Sequence, residues 1–374
     1  MVLFRNILLL TAILLSAISC SKKRVVEELP PALVSFAMDD TTVSRVIAVN
    51  QWDKDLRFDT LVANNGRWEY RAKIDTSKFI TFFMGGSGRD LSLLVTPKSR
   101  IEIAGRADSI LYRGDSINKV WLDYQLDIAS LRNHMDSIQG LYRAYSRGDS
   151  STWSLDIFSS KEYKRVDSLW MSSVRSFVNE NRDNPLSLLA IEDYYRKTEC
   201  SDSIAEWMKR LSPRTRGYGV EKSLTKVATM RANSRIGGRM PFLRFINSKG
   251  ETLSSNSFNK DKLLIIFLYS HENAFVKAVK SDLAKLAKEK IKKEPNVWIV
   301  GLNESEESIK LRLEADSLSS EILYSRLGIN DPLLHQSGIV SLPTLLVINE
   351  KYDLIGYNCY GFDLRRVINT NRVK

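Results

Sequence analysis

Apolar and polar positions change their rhythm twice along this chain. Between Ala32 and Gly114 the apolar residues come in short runs: "LVSFAM", "SRVIAV", "RFDTLVA", "RWEYRAKI", "FITFFMG", "LSLLVT" and "RIEIAG". They are rich in Val, Ile, Phe and Thr, and Asp, Asn, Gly or Pro separates them. In "RWEYRAKI" the residues Trp68, Tyr70, Ala72 and Ile74 fall on one face of an extended chain. Short strands with regular turn signals predict a small antiparallel sandwich or barrel over 32–114.

From Ser116 to Asn233 the period lengthens. Ile117, Val120, Trp121, Tyr124, Leu126, Ile128, Leu131 and Met135 recur mainly at three- and four-residue steps, as on a helix. Val166, Leu169, Trp170, Val174 and Phe177 repeat the theme. "NPLSLLAIEDYY" places Asn184 as a cap and Pro185 in the first turn of another helix, and "SIAEWMKRL" reads as a shorter one. The pattern predicts a helical segment of about four helices over 115–233.

The last part alternates between the two periods. "FLRFINSKGETLSS" reads as a hairpin turning at Ser248-Lys249-Gly250. "KLLIIFLYS" is an apolar run, followed by a polar turn and an amphipathic helix carrying Val276, Val279, Leu283, Leu286 and Ile291. "VWIVGLN", a helical "ESIKLRLEADS", "GIVSLPTLLVIN", "DLIGYNCYG" and a final helix from about Phe362 to Asn369 follow. This alternation predicts an α/β sandwich with parallel neighbours over 234–374. The fold class is therefore α+β multidomain: an N-terminal antiparallel β domain, a helical middle and a C-terminal α/β domain.

Composition adds a limited amount. With 374 residues, 43% hydrophobic and 26% charged, the chain has enough apolar surface for cored domains. The net charge of +11 comes from scattered cations with no recognition motif, so it does not imply nucleic acid. The N-terminus has its own pattern. "MVLFRNILLLTAILLSAISC" holds one charged residue, Arg5, then an apolar stretch from Ile7 to Ile18, then small residues before Cys20. A basic start, an apolar middle and a small-residue end describe a secretory signal over 1–19. The stretch is short against the about 20 residues of a stable membrane span. An uncleaved anchor helix is the alternative.

"LSAISC" resembles the lipobox of bacterial lipoproteins, with Ala17 in place of the usual Leu, Val or Ile three before the cysteine. The resemblance implies that Cys20 carries lipid and begins the mature chain, with a tether over 20–31. Membrane attachment through that lipid follows, on the periplasmic side of an envelope, with neither inner nor outer membrane singled out. "SKKR", Ser21 to Arg24, places three cations beside the anchor, where they meet anionic headgroups or serve as a solvated linker.

The C-terminal domain resembles the thioredoxin-like fold, close to its TlpA and peroxiredoxin-like branch. Four stretches carry the likeness: "GGRMPFLRFINSKGETLS", "KLLIIFLYS", "VWIVGLN" and "GIVSLPTLLVIN" followed by "KYDLIG". The resemblance implies a cis bond between Leu342 and Pro343, beside the turn that in active members carries two cysteines. Here those two positions fall on Glu272 and Phe275, with His271 in place of the preceding aromatic. No cysteine occurs between Cys200 and Cys359, so no shift of alignment restores the pair. Exchange requires a thiolate that attacks a disulfide and a second thiol that resolves it. The dithiol mechanism is absent.

The expectation is a redox-inactive module whose groove, formed by His271, Glu272, Phe275, Leu342 and Pro343, holds a periplasmic protein or peptide. No catalytic residue, cofactor or metal is assigned. His271, Glu272 and His335 fall short of a convincing set of zinc ligands. Glu272 and Asn273 also read simply as the start of a helix, favoured there by unpaired backbone donors. The alternative function is a TlpA-like oxidoreductase working through the single thiol of Cys359. A third reading gives the β domain a glycan. Cys200 and Cys359 are read as isolated thiols, with pairing as the other option. His134 is read as a surface or helix-packing residue and the tryptophans Trp68, Trp121, Trp170, Trp207 and Trp298 as core residues, and the oligomeric state is left open.

Overall fold

The computed structural model describes residues 30–372, except 40–42, 53–56, 86–88, 107–108, 147–159, 199–202, 241, 248, 256–261, 289–294, 303–320, 326 and 340. The signal, Cys20, the tether as far as residue 29, Cys200 and the helix read in "ESIKLRLEADS" lie outside the described residues. Among the described residues no helix is long and apolar enough to cross a membrane. The chain divides into two compact units. One holds 30–50 with 57–115, and the other holds 51–56 with 116–374.

The first unit contains β1 (Ala32–Met38), β2 (Arg45–Asn50), β3 (Arg57–Leu61), β4 (Arg67–Ala72), β5 (Lys78–Gly85), β6 (Arg89–Val95), β7 (Arg100–Arg106) and β8 (Ser109–Arg113). They form two four-stranded sheets, β4-β1-β7-β8 and β3-β2-β5-β6. Alternation places the core. In β4 Trp68 and Tyr70 are buried while Arg67, Glu69 and Arg71 are exposed. Phe82 of β5 packs tilted against Phe36 of β1 at 4.9 Å and meets Tyr70 edge-on at 5.5 Å, so the sheets face each other across aromatic rings. Two features differ from the sequence reading. Strand β8 was not legible, because "SILYR" lies on the sheet edge with Leu111 exposed. The domain is also not purely antiparallel: β1 runs parallel to β7, with Leu33 opposite Arg100 and Met38 opposite Gly105. Strand direction comes from chain return, and the alternation of a strand is the same either way.

The second unit starts with α1 (Ser116–Asp127), α2 (Ala129–Ser146), α3 (Lys161–Glu180), α4 (Ser187–Thr198), α5 (Ile204–Arg210) and α6 (Gly219–Ala232). Its core is aromatic. Trp170 meets Tyr194 edge-on at 5.9 Å, and Tyr194 meets Trp207 at 5.4 Å. Asn184 accepts a hydrogen bond from the Leu186 amide at 3.0 Å, so it caps the turn that opens α4. The sequence predicted about four helices here. The extra ones come from a break at Ile128, where α1 gives way to α2, and from α6. Helix α6 has few apolar positions to reveal it: only Val220, Leu224 and Arg231 are buried.

The C-terminal sheet has the order β10-β9-β13-β12-β11-β14-β15. Its strands are β9 (Arg244–Asn247), β10 (Thr252–Ser254), β11 (Leu264–Tyr269), β12 (Asn296–Gly301), β13 (Glu321–Tyr324), β14 (Thr344–Ile348) and β15 (Leu354–Tyr357). Its helices are α7 (Ala274–Lys288), α8 (Pro332–Gln336) and α9 (Gly361–Arg372). Strands β11, β12 and β13 are parallel, while β14 is antiparallel to both β11 and β15. All six residues of β11 are buried, as a strand covered on both faces must be. One face packs against Leu243, Phe245, Trp298 and Leu354, the other against Val276, Val279, Leu283 and Leu364. With its central parallel strands, antiparallel β14 and cis Leu342–Pro343 bond, the domain is thioredoxin-like.

Candidate functional site

The register of the sheet brings the candidate residues to one end. Leu268 of β11 lies opposite Thr344 of β14. The turn 270–273, after β11, and Leu342–Pro343, before β14, therefore leave the sheet side by side. β13 runs parallel to β11, so its continuation at Leu327 and Ile329 departs at the same end. β15 also runs the same way, and Cys359 and Phe362 follow it there. Leu327, Ile329 and Phe362 are large apolar side chains exposed by 60%, 45% and 62%.

Glu272 and Asn273 each have a specific anchor. Asn273 caps α7: its Oδ1 accepts from the Val276 amide at 2.9 Å. His271 and Asn273 are exposed. Glu272 turns back along the helix, and its Oε1 accepts from Lys280 Nζ at 3.4 Å. The Lys280 side chain is only 7% exposed and Glu272 20%. Lys280 Nζ also stands 5.7 Å from the centroid of the Tyr269 ring, within cation–π reach. Burying an ammonium is costly without a partner, and the carboxylate and ring together offset that cost.

Phe275 corrects the sequence reading. It is 4% exposed and meets the Tyr360 ring edge-on at 5.1 Å. It belongs to the core beneath the turn and does not line a groove. Leu342 and Pro343 are partly buried, and Thr344 Oγ1 donates to the Ser341 carbonyl across the bend that contains them.

Cys359 is a free, partly buried thiol. Its sulfur covers Gly356, where an added Cβ would stand 2.8 Å from it. Burial pushes the thiol from 9.0 up to about 12, and nearby Asp363 adds to the rise while Arg366 opposes it. A reactive cysteine needs an accessible, electropositive setting, and this one has neither quality in sufficient measure. Cys359 follows the outer strand β15, and its neighbour Tyr360 touches Phe275, so the two loops share an end of the sheet.

Among the described residues no group of three or more His, Cys, Asp or Glu side chains could hold a metal ion. His335 is exposed on α8. His134 is a surface residue, with Nε2 3.0 Å from Glu162 Oε1. The hydrogen bond from Arg165 holds the Glu162 carboxyl below the usual range, and His134 adds to that. Trp68, Trp121, Trp170, Trp207 and Trp298 are all buried.

One residue at this site was missed from sequence, Lys280, which interrupts an apolar stripe four after Val276 and three before Leu283. A cation at a stripe position was the available signal.

No family model matches the chain, and no curated protein matches it. Solved structures do. A thioredoxin-like protein from Bacteroides caccae is similar over 60% of this chain and 87% of its own, with 11% identity and a TM-score of 0.43. A C-terminal domain named for thiol-disulfide oxidoreductase activity, from Bacteroides thetaiotaomicron, is similar over 37% of this chain and 97% of its own, with 23% identity and a TM-score of 0.34. A thiol-disulfide oxidoreductase from Bacteroides fragilis has 21% identity over 36% of this chain and 98% of its own, with a TM-score of 0.32. These neighbours are thioredoxin-like proteins whose likeness covers the C-terminal part of the chain.

Proposed function

We propose that this chain is a lipid-anchored protein of the bacterial envelope whose thioredoxin-like domain is redox-inactive and serves as a binding or scaffold module. The observation that carries the reading is the occupancy of the two cysteine positions. Glu272 is held by the buried Lys280, and Phe275 is built into the core. Neither side chain can attack a disulfide or resolve a mixed one. The exposed His271, Leu327, Ile329 and Phe362 at the same end of the sheet support docking of a protein or an extended peptide.

Disulfide reductase turnover by the full chain tests the redox half, with Cys359→Ser alongside. The expected result is no turnover above background for either protein. Turnover that is lost in Cys359→Ser would instead establish a single-thiol oxidoreductase. The thiol itself gives a sharper readout. With its pKa at about 12 instead of 9.0, Cys359 should react with iodoacetamide at neutral pH ~1,000-fold more slowly than an unperturbed thiol. The same shift predicts a stability trend. The unfolded chain ionises this thiol from pH 9.0, and the folded chain keeps its proton to about 12. Stability from this group is thus present below pH 9 and lost as pH rises towards 12. Labelling of cells with radioactive palmitate tests the anchor: incorporation should vanish in Cys20→Ser, and equal labelling of both proteins would exclude it.

A further inference from the structure

The cis-proline side of the candidate docking edge has an unusual support. Arg231, on the last turn of α6 in the helical segment, is 5% exposed. Its guanidinium lies 3.7 Å from the centroid of the Tyr357 ring on β15. It also donates from Nη1 to the Ser234 carbonyl, and to Ser234 Oγ at 2.8 Å. Ser234 Oγ in turn donates to the Gly338 carbonyl at 3.4 Å. A hydroxyl accepts and donates at once, so the chain Arg231 to Ser234 to Gly338 has a consistent proton direction.

Gly338 makes the approach possible. It has φ +70°, and a Cβ there would stand 2.2 Å from Ser234 Oγ and 2.4 Å from the Met230 carbonyl. Only glycine lets the loop touch the end of α6 so closely. Five residues later the same loop reaches Pro343. On the other flank, Tyr357 lies opposite Leu346 of β14, the strand that Pro343 opens. One side chain of the helical segment thus touches the strand beside β14 and reaches the loop before β14 through Ser234.

We infer that Arg231 is a positioning residue, through which helix α6 holds Gly338, on the approach to Leu342–Pro343, at the candidate docking edge. The edge is then a joint product of the helical segment and the thioredoxin-like domain. This rests on the reading of that edge as the functional one, but its test needs no ligand. Hydrogen exchange of the full chain reads it directly, using Arg231→Met, which keeps cover over Tyr357, and Ser234→Ala, a milder change. The expected result is about tenfold faster exchange over 338–345 in both variants, with the turn 270–276 unchanged, as loss of a local hydrogen bond predicts. Equal acceleration at 270–276, or none at 338–345 in Ser234→Ala, would overturn the inference. If Arg231→Met fails to fold, Ser234→Ala decides alone. The docking reading fails by a different result, namely reductase turnover that depends on Cys359.

Discussion

The two walls of the candidate docking edge are built on different principles. The turn 270–275 is secured by its own helix and neighbouring loop. Asn273 caps α7, Glu272 pairs with Lys280 two turns along, and Phe275 packs on Tyr360. The cis-proline wall is braced from the helical segment, by Arg231 on α6 acting through Ser234. The contrast shows where adaptation has room. A wall closed by short-range contacts can change its residue types while the backbone path is kept. A wall that leans on a distant helix is sensitive to events in that helix.

Substitutions separate the two walls, starting with the largest effect. Phe275→Ala removes a core ring and should destabilise the chain by about 3–5 kcal/mol in urea unfolding. A loss below about 1 kcal/mol would mean that the turn does not depend on its core contact. Gly338→Ala tests the other wall. Its Cβ meets a carbonyl and a hydroxyl oxygen in a backbone region that alanine avoids, so about 2–3 kcal/mol should be lost. Exchange should rise over 338–345 and stay constant over 270–276. A neutral Gly338→Ala would show that the loop stands off from α6.

Lys280→Met is a smaller perturbation. It leaves Glu272 without its cation, at a cost of about 1–2 kcal/mol because the carboxylate still reaches water. Adding Glu272→Leu should restore much of that loss, since replacing both partners removes the unpaired charge. A double variant as unstable as the sum of the single ones would mean that the pair does not interact. The smallest effect belongs to Asn273→Ala, about 1 kcal/mol for a lost N-cap, seen as fraying of the first turn of α7 in exchange measurements.

The legibility of the protein from sequence divides along the same line. Trp68 and Tyr70 on β4, the buried run of β11 and the stripe of α7 could be read because local alternation reflects which faces are covered. Helix α6 could not, since its buried face is thin and one of its members is Arg231. The groove residue Phe275 was misplaced for a related reason. Position in the motif told where its Cα lies, and packing against Tyr360 determined where the ring goes.

By itself, the sequence determined the order of strands and helices around the turn, the presence of Leu342–Pro343 and the absence of a cysteine pair. These are matters of residue identity and local period, which need no partner far along the chain. Only the tertiary structure decided that β1 runs parallel to β7, that Glu272 turns inward to Lys280, and that Arg231 reaches Tyr357 and Ser234 touches Gly338. Apart from the Glu272–Lys280 pair, those contacts join residues remote in sequence, and a local pattern does not record which remote surface a face will meet.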